Sequence, residues 1–285
     1  MSARHRNGTR GGTRGGTRDD SPPPAPPPLA VPVWDSHAHL DIMDLPVGET
    51  LAAARAVGVD TVVQVGVDVA SSRWGADLAM SYDEVWAAVA VHPNEAGRGA
   101  ATDEALRQIE ALAGLPQVRA VGETGLDHFR TGPEGTAAQE DSFRAHIAIA
   151  KQTGTALMIH DRDAHDDVLR VLTEEGAPER VVFHCFSGDA AMAKVCADRG
   201  YALSFSGTLT FRNAPQLRQA AALLPAELLL VETDAPFLTP TPHRGRPNAP
   251  YLVPLTVRAL AETRDEDVDA LCHQLAANSR RLFGL

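Results

Sequence analysis

Residues 31–40 read V-P-V-W-D-S-H-A-H-L, a short apolar run that closes on His37 and His39. Side chains on a strand alternate with period two, so these two imidazoles share a face and can grip one ion together. The same design returns four times. R-A-V-G-E-T-G-L-D brings Glu123, A-L-M-I-H-D-R brings His160, V-V-F-H-C-F-S-G brings His184 and L-L-L-V-E-T-D-A-P brings Asp234. Each carboxylate or imidazole ends an apolar run of strand length. Parallel strands buried on both faces read as near-continuous apolar runs, and in a closed α/β barrel the functional groups sit where strands end and loops begin.

Working outward, strand-like runs fall near 33–37, 61–67, 85–92, 118–124, 156–160, 180–186, 201–206 and 228–234. Helix-like stretches separate them. The clearest are Thr136 to Thr153, with Phe143, His146, Ile147 and Ala150 on one face, and Asp163 to Glu175, with Val168, Leu169 and Leu172 on another. Two further stretches, Leu252 to Glu262 and Asp265 to Leu282, complete the outer layer. This alternation predicts the α/β class and a (β/α)8 TIM barrel that forms a single domain over residues 31–285. An open doubly wound sheet would bring ligands from the first, fourth, fifth, sixth and eighth strands together less naturally.

Residues 1–30 have a different composition. A G-T-R repeat is followed by a proline run, and neither can bury enough apolar surface to order itself, so this segment is expected to be a disordered, flexible arm. Its five arginines against Asp19 and Asp20 make it +3, which leaves −14 of the chain's −11 net charge on the remainder. An acidic body repels a polyanion at long range and argues against a broad, non-specific nucleic-acid groove. With 44% hydrophobic residues the chain has ample material for a core. Cys185, Cys196 and Cys272 form no C-x-x-C pair, no apolar stretch approaches the roughly 18 residues of a membrane span, and the N-terminus lacks an apolar signal region. A cytoplasmic protein without a membrane or obligate protein partner is the expectation.

The six strand-end groups suit a pair of divalent cations, Zn, Mn, Ni or Mg, and point to a metal-dependent hydrolase. Two close ions need a bridging carboxylate. The only lysines, Lys151 and Lys194, fall in helix-like segments, so a carboxylated lysine is unsuited and Glu123 is the expected bridge. His37, His39 and Asp234 would hold one ion, and His160 with His184 the other. Asp234 is also the candidate proton acceptor for an attacking water, and Glu232, two positions earlier, is a candidate acceptor for a ligand histidine. Arg162, two residues past His160, is placed to meet a phosphate fork-on, and Arg130, Arg212 and Arg244 lie in loops expected at the barrel mouth.

With these residues in place, the chain resembles the TatD-like family of metal-dependent deoxyribonucleases among the amidohydrolase-type barrels. The resemblance runs from Val33 to Leu285. It is carried by D-S-H-A-H-L, V-H-P-N-E, G-E-T-G-L-D, M-I-H-D-R-D-A, H-C-F-S-G and E-T-D-A-P-F-L-T-P with H-R-G-R-P-N, in the family's order. It implies a barrel, two divalent metals and hydrolysis of DNA phosphodiester bonds, exonuclease action included, with single strands or 3′ ends as substrate. By position it assigns metal binding to His37, His39, Glu123, His160, His184 and Asp234, and places His92 near the substrate. Two departures stand out: Asn94 where a histidine is frequent, and His128 in place of an aromatic. The alternatives are hydrolysis of a C–N or C–O bond in a small molecule, which similar barrels perform, and a non-catalytic metal-binding scaffold.

Overall fold

The computed structural model describes residues 21–285. Eight strands, β1 (Val33–Ala38), β2 (Val59–Val65), β3 (Val85–Val89), β4 (Val118–Asp127), β5 (Ala156–Arg162), β6 (Val181–Phe183), β7 (Ala202–Phe205) and β8 (Leu229–Val231), pair in parallel in sequence order. The ring closes just past β8: Ala38 bridges Ala235, the His39 amide donates to the Ala235 carbonyl at 2.8 Å, and the Asp234 amide donates to the His37 carbonyl at 2.9 Å. The expected eight-stranded barrel is therefore present. β6 and β8 are shorter than the apolar runs that predicted them. Their last residues leave the ladder, with Cys185 at φ 41° and Asp234 at φ 56°, and turn into the loops of the barrel mouth.

The interior is filled from all eight strands, by residues such as Trp34, Val63, Ala88, Ala120, Met158, Val182 and Leu230. Phe283, at the C-terminus, stacks on Trp34 at 6.0 Å and packs into the same cluster. Outside, strand residues such as Val33, Val89, Val121 and Leu203 pack against the helical layer. The helix expected from Thr136 begins instead at Pro133, because a proline suits the first helical position, where its missing N–H is unused. It ends at Gly154, which adopts a left-handed φ of 65°. Phe143, His146, Ile147 and Ala150 are all buried on its inner side, as their spacing predicts. The remaining expected helices form at His165–Glu175, Val253–Arg264 and Val268–Leu282.

The expectation of a flexible arm over residues 1–30 needs correction in its second part; residues 1–20 lie outside the described residues. Ser21–Ala30 lies against the barrel. Proline has no N–H to pair, but its carbonyls still accept: Tyr251 Oη donates to Pro23 at 2.6 Å, and Arg258 to Pro27 at 2.9 Å and Pro28 at 3.2 Å. Leu29 is buried, and its amide donates to the Val57 carbonyl at 3.0 Å. A preset extended backbone loses little entropy on docking, which composition alone does not reveal.

Candidate metal centre

Two strand irregularities aim the site. Along β1, Trp34 fills the interior, yet Asp35 pairs with Val62 and Ala38 with Gln64, so three steps on β1 match two on β2. This extra residue re-aims the strand and turns His37 and His39 inward. β4 has the same irregularity between Val121 and Thr124, and Glu123 sits in it. Gly122 makes this possible, since a Cβ there would stand 2.4 Å from the Met158 Cβ. Gly125 is equally constrained, at φ 131° and with a virtual Cβ 2.1 Å from the His160 carbonyl oxygen.

Glu123 is the centre of the arrangement. Its Oε1 lies 2.6 Å from His160 Nδ1, 2.7 Å from His184 Nε2 and 3.4 Å from His92 Nε2. Its Oε2 faces the other way, 3.5 Å from His37 Nε2 and 3.8 Å from His39 Nε2. Asp234 Oδ1 joins that second group at 3.5 Å from His39 Nε2 and 3.8 Å from His37 Nε2. All six sequence-predicted ligands thus converge, and the two oxygens of one carboxylate divide the imidazoles into two sets.

The hydrogen bonds behind the imidazoles decide which nitrogen each presents. His39 Nδ1 is 3.0 Å from the Val65 carbonyl, which can only accept, so Nδ1 carries the proton and Nε2 offers a lone pair. His184 Nδ1 faces Glu232 Oε1 at 3.2 Å, again leaving Nε2 for the centre. His160 is reversed: Nε2 faces Asp127 Oδ2 at 3.2 Å, and Nδ1 is the inward atom. His92 differs in kind. Its Nδ1 accepts from the Asn94 amide at 3.0 Å, so its Nε2–H is a donor rather than a ligand.

Electrostatics follow from this geometry. Burial alone would raise the Glu123 carboxyl, but His184, His92 and His160 outweigh it and hold it well below the usual range. Asp234 behaves alike: burial opposes charge, and the His39 hydrogen bond with the facing imidazoles wins, so it stays ionised. Burial disfavours charge on His184, yet Glu123 and Glu232 push it well above the ordinary histidine value. His37, fully buried and beside His184, moves down. Asp234 also holds a left-handed backbone, a strain of about 1 kcal/mol for an L-residue, which places its carboxylate at the mouth.

The donor set fits divalent cations on observations of the chain itself. His37 Nδ1 faces the Met158 thioether at 3.2 Å, which can only accept, so Nδ1 carries the proton and His37 Nε2, like His39 Nε2, offers a lone pair. The two Nε2 atoms stand 3.2 Å apart, and two lone pairs so close repel unless something positive lies between them. Two triplets of ligand atoms each lie within 4.8 Å of one another, His37, His39 and Asp234, and His37, His184 and Glu232; His92, Glu123 and His160 are as close, but there His92 contributes an Nε2–H and no lone pair. Glu232 Oε2 is buried with no partner, at a cost an approaching cation would remove.

Sequence reasoning did not single out Asp127. It is buried, lies 3.2 Å from His160 Nε2, and accepts from the amides of Phe129 at 2.9 Å and Arg130 at 2.7 Å. G-E-T-G-L-D contained the signal, since Asp127 lies four positions after Glu123 on the same strand. Asn94 donates to Asp127 Oδ2 at 3.2 Å and accepts from Thr131, so the departure at this position braces Asp127. The arginines are less direct. Arg162 lies over the Phe129 ring at 4.0 Å and Arg244 over Phe211 at 3.9 Å, while Arg130 and Arg212 are exposed.

Comparisons with known proteins identify the family and the fold. A family described as TatD related DNase matches residues 34–284. The chain is 48% identical over 259 residues to the uncharacterized metal-dependent hydrolase TatD of Mycobacterium tuberculosis, covering 88% of this chain and 97% of that protein. It is 36% identical over 248 residues to the 3′-5′ ssDNA/RNA exonuclease TatD of Klebsiella pneumoniae, covering 83% and 91%. The crystal structure of YJJV, a TatD homologue from Escherichia coli K12, superposes with a TM-score of 0.83 at 28% identity, covering 89% of this chain and 98% of that one. The chain belongs to the TatD-related DNase family of metal-dependent hydrolases.

Proposed function

We propose that this protein hydrolyses phosphodiester bonds of DNA, acting as an exonuclease on single strands or 3′ ends with two divalent ions. The observation that carries the reading is the division of imidazoles by Glu123: one oxygen faces His160 and His184, the other His37 and His39. In this reading His37, His39 and Asp234 would hold one ion and His160 and His184 the second, with Glu123 between the two sets. The ions, when bound, supply Lewis acidity at the phosphoryl oxygens and make water acidic near neutral pH.

The chain's own groups do the rest. Asp234, ionised and at the mouth, orients the attacking water and takes its proton at a carboxylate oxygen. His92, whose Nε2–H faces Glu123 Oε1 at 3.4 Å, offers that donor to a non-bridging phosphate oxygen seated at the centre. Arg162, stacked on Phe129 beside the site, adds positive charge for a phosphate, with Arg130 and Arg244 farther out on the rim. These local cations let an acidic body accept a polyanion. Relatives named as exonucleases support the polarity, and three free thiols support a reducing, cytoplasmic setting.

The test is a 5′-labelled single-stranded oligonucleotide incubated with purified protein and Mg, Mn, Zn or Ni in turn. Progressive shortening from the 3′ end, abolished by chelator, is expected. Asp234→Asn should lose turnover by at least about a hundredfold with its circular dichroism unchanged. Near-normal cleavage by Asp234→Asn would overturn its role, and no cleavage with any metal would overturn the nuclease reading.

A further inference from the structure

Among the described residues three phenyl or indole rings are exposed: Trp74, on an outer helix, and Phe129 and Phe237, both at the barrel mouth. Phe129 is 63% exposed and Phe237 51%. Neither ring contributes much to the core, so burial does not explain them. Phe129 follows β4 and Phe237 follows β8. In an eight-stranded ring these strands stand four places apart, so the two rings flank the centre from opposite sides.

Both are held in place. The Phe129 amide donates to Asp127 Oδ1 at 2.9 Å, anchoring the backbone under the ring to the aspartate behind His160, and Arg162 covers one face of the ring at 4.0 Å. The Phe237 amide donates to the Asp234 carbonyl at 2.8 Å, and its ring meets His39 edge-on, 6.2 Å between centroids. The backbone beneath each ring is thus anchored to a residue of the centre, and each ring has one side-chain neighbour, Arg162 for Phe129 and His39 for Phe237. Part of each ring's ordering entropy is therefore already spent, which favours binding of a planar partner.

We propose that Phe129 and Phe237 are stacking platforms for the two nucleobases on either side of the scissile phosphate, and that this selects unpaired strands. The inference rests on the nuclease reading and adds substrate-positioning residues to it. A phosphate seated at Glu123 places its two nucleosides toward opposite sides of the mouth, where the two rings wait. Every base has a π-face, so the contact is tolerant of sequence. A base already paired and stacked in a duplex cannot reach either ring without opening. Arg162, stacked behind Phe129, adds positive charge next to the strand.

The experiment is a cycle between enzyme and substrate. Wild type, Phe129→Leu, Phe237→Leu and the double variant are assayed on a single-stranded oligonucleotide, the same strand with an abasic terminal or penultimate position, and the duplex. Leucine keeps the apolar bulk and removes the π-face. Each single variant should raise KM for the intact strand roughly tenfold, the scale of one lost base stack, with kcat little changed. An abasic substitution should cost wild type the same factor and cost the matching variant almost nothing more. The double variant should lose the preference for single strand over duplex, and Phe129→Trp should restore KM. Unchanged KM in both leucine variants, or full additivity with the abasic positions, would overturn the proposal while wild-type cleavage still upheld the nuclease reading. Absence of wild-type cleavage would defeat both.

Discussion

Replacing His146 isolates one buried titration and gives it a magnitude. His146 lies on the inner side of the helix Pro133–Thr153, fully buried; its Nδ1 donates to the Ser142 carbonyl at 2.7 Å and its Nε2 accepts from the Val91 amide at 3.1 Å. A second proton would have to sit on Nε2, facing another N–H. Burial therefore pushes the imidazole down from 6.5 to about 4. Below pH 6.5 the unfolded chain takes up a proton that the folded chain refuses until about pH 4. The folded value is depressed, so the associated stability is present above pH 6.5 and is lost as pH falls through 4. At ~1.4 kcal/mol per pH unit, the drop from 6.5 to about 4 amounts to roughly 3 kcal/mol. Urea unfolding of wild type and His146→Gln at matched metal load, from pH 7 to pH 4, measures it. The site's other histidines are common to both proteins and cancel in the difference. Wild type should lose its advantage over the variant by about 3 kcal/mol across that range. A gap constant to within about 0.5 kcal/mol would refute the assignment. Val91 precedes His92, so the same contact also steadies the donor that faces Glu123.

Two further outcomes follow from the geometry. Asp127→Asn removes the carboxylate behind His160; metal affinity measured by calorimetry should fall about 10- to 100-fold, with activity recovered at high metal, and unchanged affinity would mean that Asp127 does not position His160. Tyr251→Phe removes the hydrogen bond to Pro23 and should cost about 1 kcal/mol in urea unfolding. That cost should vanish in a chain lacking residues 1–28, and an equal cost in both chains would place the hydroxyl's role elsewhere.

Much of this molecule is legible in the order of its residues, because the information is local. Eight apolar runs separated by helical periodicity describe a parallel sheet covered by helices, and the register of His37 with His39 follows from a two-residue period. The positions of Glu123, His160, His184 and Asp234 at the ends of such runs follow in the same way, since a barrel puts every strand's C-terminal end on one rim. Tertiary structure decided what depends on contacts between distant segments. Spacing does not reveal that extra residues in β1 and β4 turn His37, His39 and Glu123 inward, because a bulge is defined against its neighbouring strand. Nor does it reveal that Asp127 backs His160, that His92 presents a donor, or that Ser21–Ala30 docks on Tyr251 and Arg258. Asp35 and Thr233, 198 residues apart, are joined through Thr233 Oγ1 at 2.6 Å. Such a pairing has no periodic signature, and only closure of the ring creates it.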